Sequence, residues 1–189
     1  MDLNKSLQQG ITELKEGKFQ KAEEIFKKVL ALKPDWIDAH NNLGITLKYL
    51  GKLNEAEYSF KKAVALRPSF AIAHNNLGST LKGLGRLNEA EDSFKKAIAL
   101  KPHYPEAYNN LGIALKGLGR LNEAEDSFKK AIALKPHYPE AYNNLGVILQ
   151  KINMLKEAEA SYKKALSLKP DYKPALLNKG QILFEKGEF

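Results

Sequence analysis

Asparagine pairs recur along this chain at a spacing of 34 residues, and their carboxamides are the side chains best suited to recognition chemistry. Each carboxamide has two N–H donors and an oxygen with two lone pairs. One asparagine can therefore hold both the N–H and the C=O of an extended peptide. A row of asparagines would recognise the backbone of a peptide whatever its side chains are. The asparagine row comprises Asn42, Asn76, Asn110, Asn144 and Asn178, and the flanking asparagines are Asn41, Asn75, Asn109 and Asn143.

Three lysines follow the asparagine row at the same period, at Lys48, Lys82 and Lys116. Helical spacing puts Lys48 on one face with Asn42, and the same face carries Asp38, Asn41, Ile45 and Tyr49. We expect this face of each repeat to form the binding surface. An exposed lysine usually needs no functional explanation, so simple solvation is the alternative for the three lysines.

The sequence gives no support for catalysis. It has no cysteine nucleophile, no glycine-rich phosphate loop and no histidine pair with metal-ligand spacing. His40 and His74 fall where packing residues are expected, and His103 and His137 lie in His-Tyr-Pro turns. An active site needs different groups converging on one point, whereas this chain spreads the same groups along a line. We therefore predict no catalytic residue, no metal and no cofactor.

An internal repeat of 34 residues sets the spacing of these asparagines and lysines. Residues 81–112 and 115–146 are identical, and the period of 34 continues in weaker copies in both directions. A period of this length indicates stacked supersecondary units, because one unit cannot bury its apolar face alone. The predicted repeats form a single array over 1–189, with approximate bounds 3–36, 37–70, 71–104, 105–138, 139–172 and a partial sixth repeat 173–189.

Each repeat is predicted to be two antiparallel helices, which we call helix A and helix B. In the fourth repeat helix A is expected from about Pro105 to about Gly119, and helix B from near Asn122. Asn54, Asn88 and Asn122 each precede a glutamate by three residues, a pattern similar to the capping box. Gly112 lies inside helix A, where glycine costs about 1 kcal/mol relative to alanine. A close approach of two helices is the expected compensation.

The spacing within one repeat resembles the tetratricopeptide repeat signature. The fourth repeat carries the motif Tyr108-x-x-Leu111-Gly112-x-x-Leu115, followed by Ala124-x-x-x-Phe128 and Pro136. Histidine takes the first aromatic position at His40 and His74, and leucine takes the second at Leu47, Leu81, Leu115 and Leu149, which are mild departures. The resemblance covers the whole chain. It implies an all-α solenoid of antiparallel helix pairs in a right-handed superhelix, with the A helices lining a concave groove.

The asparagine row is similar to the ladder in the groove of O-linked N-acetylglucosamine transferases, which hold extended substrate peptides. Asparagine here is also a common consensus residue of the tetratricopeptide family, where it can bond the neighbouring repeat. A structural role is therefore the alternative. The tetratricopeptide clamp for acidic chaperone tails does not match, because Glu106 and Asn110 stand where its third helix carries two cations.

Composition narrows the classes of partner. The formal net charge is +8, but the excess is spread at roughly one charge per repeat with no basic patch, which argues against nucleic acid. With 28% charged residues no apolar run is long enough to span a membrane, and there are no cysteines for disulfides. We expect a cytoplasmic protein with neither a nucleic acid nor a membrane as partner.

The two ends of the array differ. The first helix carries Lys5, Gln9 and Glu16 where internal repeats carry apolar residues, as a terminal repeat requires, so the amino end is expected to be a natural boundary. The sixth repeat stops before a helix B, which predicts that a longer protein was cut here. An apolar stripe is thereby left uncovered, and we expect it to form a weak homodimer. The stripe comprises Leu176, Leu177, Leu183 and Phe184.

Two functions remain open at this point. The first is a protein-interaction module that binds an extended peptide or partner segment in its groove, to recruit a partner or position a substrate. The second is a structural spacer or self-assembling repeat module, natural or engineered, without a specific ligand. The similarity of the copies favours an extended ligand, because adjacent repeats offer nearly the same chemistry at each step.

Overall fold

The computed structural model describes residues 2–186 of the chain, and their side chains as far as residue 182. In that range the regular structure consists of α-helices, which confirms the predicted all-α repeat fold. The helices are α1 (Leu3–Lys15), α2 (Phe19–Leu32), α3 (Ile37–Tyr49), α4 (Leu53–Leu66), α5 (Ala71–Gly83), α6 (Leu87–Leu100), α7 (Pro105–Gly117), α8 (Leu121–Leu134), α9 (Pro139–Lys151), α10 (Leu155–Leu168) and α11 (Lys173–Lys186).

The helices belong to two compact units, Met1–Lys101 with α1 to α6 and Pro102–Phe189 with α7 to α11. Within each unit every helix packs on the next helix along the chain. The odd-numbered helices also contact the next odd-numbered helix of their unit: α1 contacts α3 and α3 contacts α5 in the first unit, and α7 contacts α9 and α9 contacts α11 in the second. Each unit thus has a layer of odd-numbered A helices, which carry the asparagine row, and a layer of even-numbered B helices.

A glycine turn reverses the chain between the two helices of a repeat. After α3, the Lys52 N–H donates to the Leu47 carbonyl at 2.9 Å and the Gly51 N–H donates to the Lys48 carbonyl at 3.0 Å, as in a Schellman motif. The motif requires a left-handed residue, and Gly51 has a φ of 74°. Asn153 takes the equivalent place before α10, with a φ of 64°. The two helices of a repeat therefore run antiparallel.

The capping prediction was wrong. Helix α4 begins at Leu53, with Lys52 at the N-cap and no side-chain capping bond, and α6 and α8 begin in the same way. The Schellman turn fixes the residue after the glycine at the N-cap, so the next helix starts one residue before Asn54. The Lys52 carbonyl then accepts the first helical bond, from the Ala56 N–H at 3.0 Å.

The glycine inside each A helix gives the close approach that the sequence predicted. A Cβ built on Gly44 would lie 2.7 Å from two ring carbons of Phe60, and one on Gly112 would lie equally close to Phe128. Phe60 is fully buried, as is Ala56 one turn earlier on the same helix. The aromatic ring of helix B thus occupies the space that the missing side chain leaves, and this contact forms the core of the repeat.

Ion pairs connect one repeat to the next on the side of the B helices. Lys52, at the start of α4, donates to both carboxylate oxygens of Glu23 on α2 at 2.8 and 2.9 Å. Glu23 also accepts from Lys27 at 2.6 Å. One repeat later, Arg86 bonds Glu57 on α4 at 2.7 Å. These pairs place the cation of each of these two turns against a carboxylate of the preceding B helix.

Candidate functional site

The two asparagines of each pair lie at different depths. The flanking asparagines Asn41, Asn75, Asn109 and Asn143 are buried, each 6–7% exposed. The members of the asparagine row, one residue further on, are half-buried on the layer of A helices. The row is therefore the part of the pair that stands at the surface of each unit.

The asparagine row bonds to the flanking asparagines of the preceding repeat. Asn76 Nδ2 donates to Asn41 Oδ1 at 3.1 Å in the first unit. In the second unit, Asn144 Nδ2 donates to Asn109 Oδ1 at 3.0 Å, and Asn178 Nδ2 repeats the contact with Asn143. Each bond uses one N–H of the row and holds its carboxamide in a fixed orientation. The second N–H and the carboxamide oxygen are not needed for it.

Asn42 behaves differently from the rest of the row. Its Nδ2 donates to the Asp38 carbonyl on its own helix at 2.9 Å. The residue 34 positions before Asn41 would be the flanking asparagine of the preceding repeat, and it is Leu7, which has no acceptor in its side chain. Asn42 therefore bonds a carbonyl one turn back on its own helix instead of a side chain of the preceding repeat.

The lysines of this face are half-buried rather than fully solvated. Lys48 Nζ donates to Ser79 Oγ on α5 at 2.9 Å. Burial, and secondly the positive charge of Lys82, lower the pKa of Lys48. Beside Lys48 lies a cavity of about 420 Å³, lined by Ile45, Lys48, Tyr49 and Asn76. The ring of Tyr49 is stacked on Phe19 at 4.7 Å between centroids.

Sequence reasoning missed Ser79 as a partner of Lys48. The signal was available, because the equivalent positions in the other repeats are Ile45, Ile113 and Val147, and a hydroxyl stands out among them. Sequence reasoning gave a bond from the row asparagine to the neighbouring repeat as an alternative, but it did not identify the flanking asparagines as the acceptors. That contact depends on the distance between neighbouring A helices, which a repeat period does not give.

Two of the four histidines contribute to packing, whereas His103 and His137 are exposed. His40 and His74 are buried, and each Nε2 donates to a proline carbonyl six residues earlier, at 2.8 Å to Pro34 and 2.9 Å to Pro68. Among the described residues no three His, Cys, Asp or Glu side chains are placed to hold a metal ion. None of the described helices has the length and apolar character needed to cross a membrane.

The apolar stripe of the last helix is only partly visible. Leu176 is 49% exposed and Leu177 is 75% exposed on α11. The side chains of Leu183 and Phe184 lie outside the described residues, as does Phe189. The visible half of the stripe therefore faces solvent in this structure.

Comparison with known proteins gives the family. Tetratricopeptide repeat family models match residues 7–35, 37–70, 69–137 and 139–172. No curated protein sequence matches the chain.

Three solved structures illustrate the similarity. MamA has 32% identity and a TM-score of 0.77, and the match covers 85% of this chain and 94% of that one. PilW, a widely conserved type IV pilus biogenesis factor, has 26% identity and a TM-score of 0.90, over 98% and 86%. YrrB, a TPR protein with an unusual peptide-binding site, has 23% identity and a TM-score of 0.74, over 93% and 90%. The repeat signature, the helix pairs and these matches together show that the chain belongs to the tetratricopeptide repeat family.

Proposed function

We propose that this chain is a protein-interaction module whose units each bind an extended peptide or partner segment on their layer of A helices, with no catalysis of its own. In the first unit the binding face comprises Asn42, Asn76, Lys48 and Lys82. In the second it comprises Asn110, Asn144, Asn178 and Lys116. The tetratricopeptide fold supports an interaction role. The 23% identity with YrrB shows a shared fold and carries no argument about a shared ligand.

The observation that carries the proposal is the orientation of the row carboxamides. Asn76 and Asn144 each donate one N–H to the carboxamide oxygen of an asparagine in the preceding repeat, at 3.1 and 3.0 Å. Within the described residues, the oxygens of these two carboxamides accept no hydrogen bond. Each side chain thus keeps an acceptor and a donor at the surface, the complement of one N–H and one C=O of a peptide backbone. Because the orientation is fixed before binding, little side-chain entropy is lost when the ligand docks.

The same contacts also support the alternative, a structural spacer in which the asparagines only join neighbouring repeats. The two roles make different demands on the two asparagines of a pair. The spacer needs both partners of the bond equally, whereas peptide binding needs the half-buried row and uses the flanking asparagines only to orient it.

The first prediction separates the two roles with a matched pair of variants. Changing Asn42, Asn76, Asn110 and Asn144 to alanine is expected to abolish capture of extended peptides on a peptide array while helicity by circular dichroism is retained. Changing Asn41 and Asn109 to alanine removes the acceptors of two inter-repeat bonds but leaves the row. It should lower stability by about 1 kcal/mol per bond and keep measurable capture. Equal capture by the row variant and the parent chain would show that the row only joins repeats.

We also propose weak self-association of this chain through α11. The exposed Leu176 and Leu177 are the described part of an apolar stripe whose sequence continues to Leu183 and Phe184. Leucines on one helix face can pair with the same face of a second copy across a two-fold axis. The corresponding test is given in the Discussion.

A further inference from the structure

Lys48 on the layer of A helices pairs with a neutral group. The residue is half-buried, and its ammonium group donates to the hydroxyl of Ser79 at 2.9 Å. It has no carboxylate partner among the described residues. Asp38 shares the same face, but it lies ten residues earlier on α3, about 15 Å away along the axis.

Three cations on the B-helix side of the first unit do have carboxylate partners. On the layer of B helices, Lys27 and Lys52 share the carboxylate of Glu23, and Arg86 reaches Glu57 and Glu89. The charged group that acts on Lys48 is a second cation, Lys82, which occupies the equivalent position one repeat later. Lys48 itself has a positive neighbour and, among the described residues, no carboxylate that offsets the burial of its charge. The fold therefore concentrates positive charge on the proposed binding face.

The third repeat departs from the others beside Lys48. Ser79 replaces the isoleucine or valine of the other full repeats, and its hydroxyl accepts the hydrogen bond from Lys48. A cavity of about 420 Å³ lies beside Lys48 and is lined by Ile45, Lys48, Tyr49 and Asn76. Its lining combines an apolar wall, a cation and a carboxamide.

We infer that Lys48, Ser79 and Lys82 form an anion subsite that takes the carboxylate of an aspartate or glutamate side chain in a bound extended peptide. The inference rests on the proposed function and names the class of its ligand. The wall of Ile45 and Tyr49 covers the methylene groups of the acidic side chain, while Asn76 holds the backbone beside it. Asn76 and Lys48 line the same cavity, so a ligand that contacts both must present its backbone and a negative charge within about one residue. The carboxylate of an aspartate or glutamate side chain meets this requirement.

The test is selection of random displayed peptides on the full chain. Peptides captured by the parent chain are expected to carry aspartate or glutamate at one fixed position. Each is then synthesised with its acid and with the matching amide. The acid form should bind about tenfold more tightly, the effect of one hydrogen bond between charged groups. This comparison uses the parent chain and does not depend on the folding of a variant.

Two protein variants locate the subsite. Lys48→Gln with Lys82→Gln should bind the acid and amide peptides equally. Lys28→Gln with Lys62→Gln removes the same two charges, at the same spacing, from exposed positions of α2 and α4, and should keep the tenfold preference.

The outcomes separate this inference from the proposed function. Captured peptides without a fixed acid, or with equal affinity in acid and amide forms, would refute the anion subsite and leave peptide binding standing. No captured peptide at all would refute both. An acid preference that survives in the Lys48, Lys82 variant would place the anion elsewhere on the chain and overturn the assignment.

Discussion

Gly44 and Gly180 occupy equivalent positions of their helices and have different surroundings. A Cβ on Gly44 would meet the buried ring of Phe60 at 2.7 Å, whereas one on Gly180 would meet nothing within 4 Å. Both glycines have the same intrinsic cost in a helix. The difference between them therefore measures the packing requirement alone.

The second prediction uses this pair. Gly44→Ala is expected to lower the free energy of unfolding by about 1–3 kcal/mol, because the ring of Phe60 must move within a filled core. Gly180→Ala is expected to raise it by up to about 1 kcal/mol, the gain of alanine over glycine inside a helix. Urea unfolding followed by circular dichroism measures both. Equal effects of the two substitutions would show that Gly44 is kept for some reason other than Phe60.

Residue positions on this face could be predicted from the sequence, but their hydrogen bonds could not. A period of 34 and a helical spacing are enough to place Asn76 and Lys48 on one face of the A helices. Whether Asn76 donates to Asn41, or Lys48 to Ser79, depends on distances between neighbouring helices that emerge only from packing. Asn42 illustrates the limit, since its partner is decided by the absence of an acceptor at Leu7.

Single helices are joined to their neighbours by charge as well as by packing. Glu23 of α2 is buried to 9% side-chain exposure between Lys27 of its own helix and Lys52 at the start of α4. Hydrogen bonds from Lys27 first and from Lys52 second lower the pKa of Glu23. A carboxyl group with a lowered pKa in the folded chain stabilises the fold above its unfolded pKa of about 4.5. That contribution is lost as the pH falls through the folded pKa.

The third prediction follows from this sign. Lys52→Gln should reduce stability by about 1 kcal/mol at neutral pH, and the difference from the parent chain should shrink as the pH falls below 4.5. Urea unfolding over that pH range measures the difference. Lys28→Gln is the control, since it removes a charge from an exposed position of α2 that has no ion pair within the described residues. A difference that stays constant with pH would show that Lys52 acts through packing rather than through Glu23.

Helix ends were predicted less well than helix existence. The type and number of helices follow from the repeat, whose apolar, glycine and proline positions recur unchanged. The capping pattern at Asn54 failed because tertiary geometry prevailed over a local signal: the Schellman turn at Gly51 fixes where α4 begins.

At the scale of the whole molecule, stability in a repeat protein is approximately a sum of repeat terms and terms for neighbouring interfaces. Internal helices are covered on both sides by their chain neighbours within each unit. Leu177 of α11, at 75% exposure, is the most exposed of the large apolar side chains described here. An exposed leucine of this kind on a terminal helix is a candidate for contact between copies.

The fourth prediction concerns that helix. Sedimentation velocity over a wide concentration range is expected to show a reversible monomer–dimer equilibrium at high concentration. Leu176→Lys with Leu177→Lys should abolish it, because two charges cannot be buried unpaired in a symmetric contact. Leu32→Lys, at another exposed leucine, adds charge elsewhere and should leave the dimer intact. A monomer at every concentration, or a dimer that survives in the α11 variant, would exclude this interface.

The identity of residues 81–112 and 115–146 has a consequence for how such a chain can change in length. Removing residues 81–114 would join Thr80 to Leu115, which is the same residue type as Leu81 and is followed by the same sequence. The junction would be indistinguishable from the original, with no new turn and no broken helix. Removal or duplication of this block would therefore change the number of repeats without altering the local sequence of any helix or turn. The length of the asparagine row could then change one step at a time while the fold of each repeat stays the same.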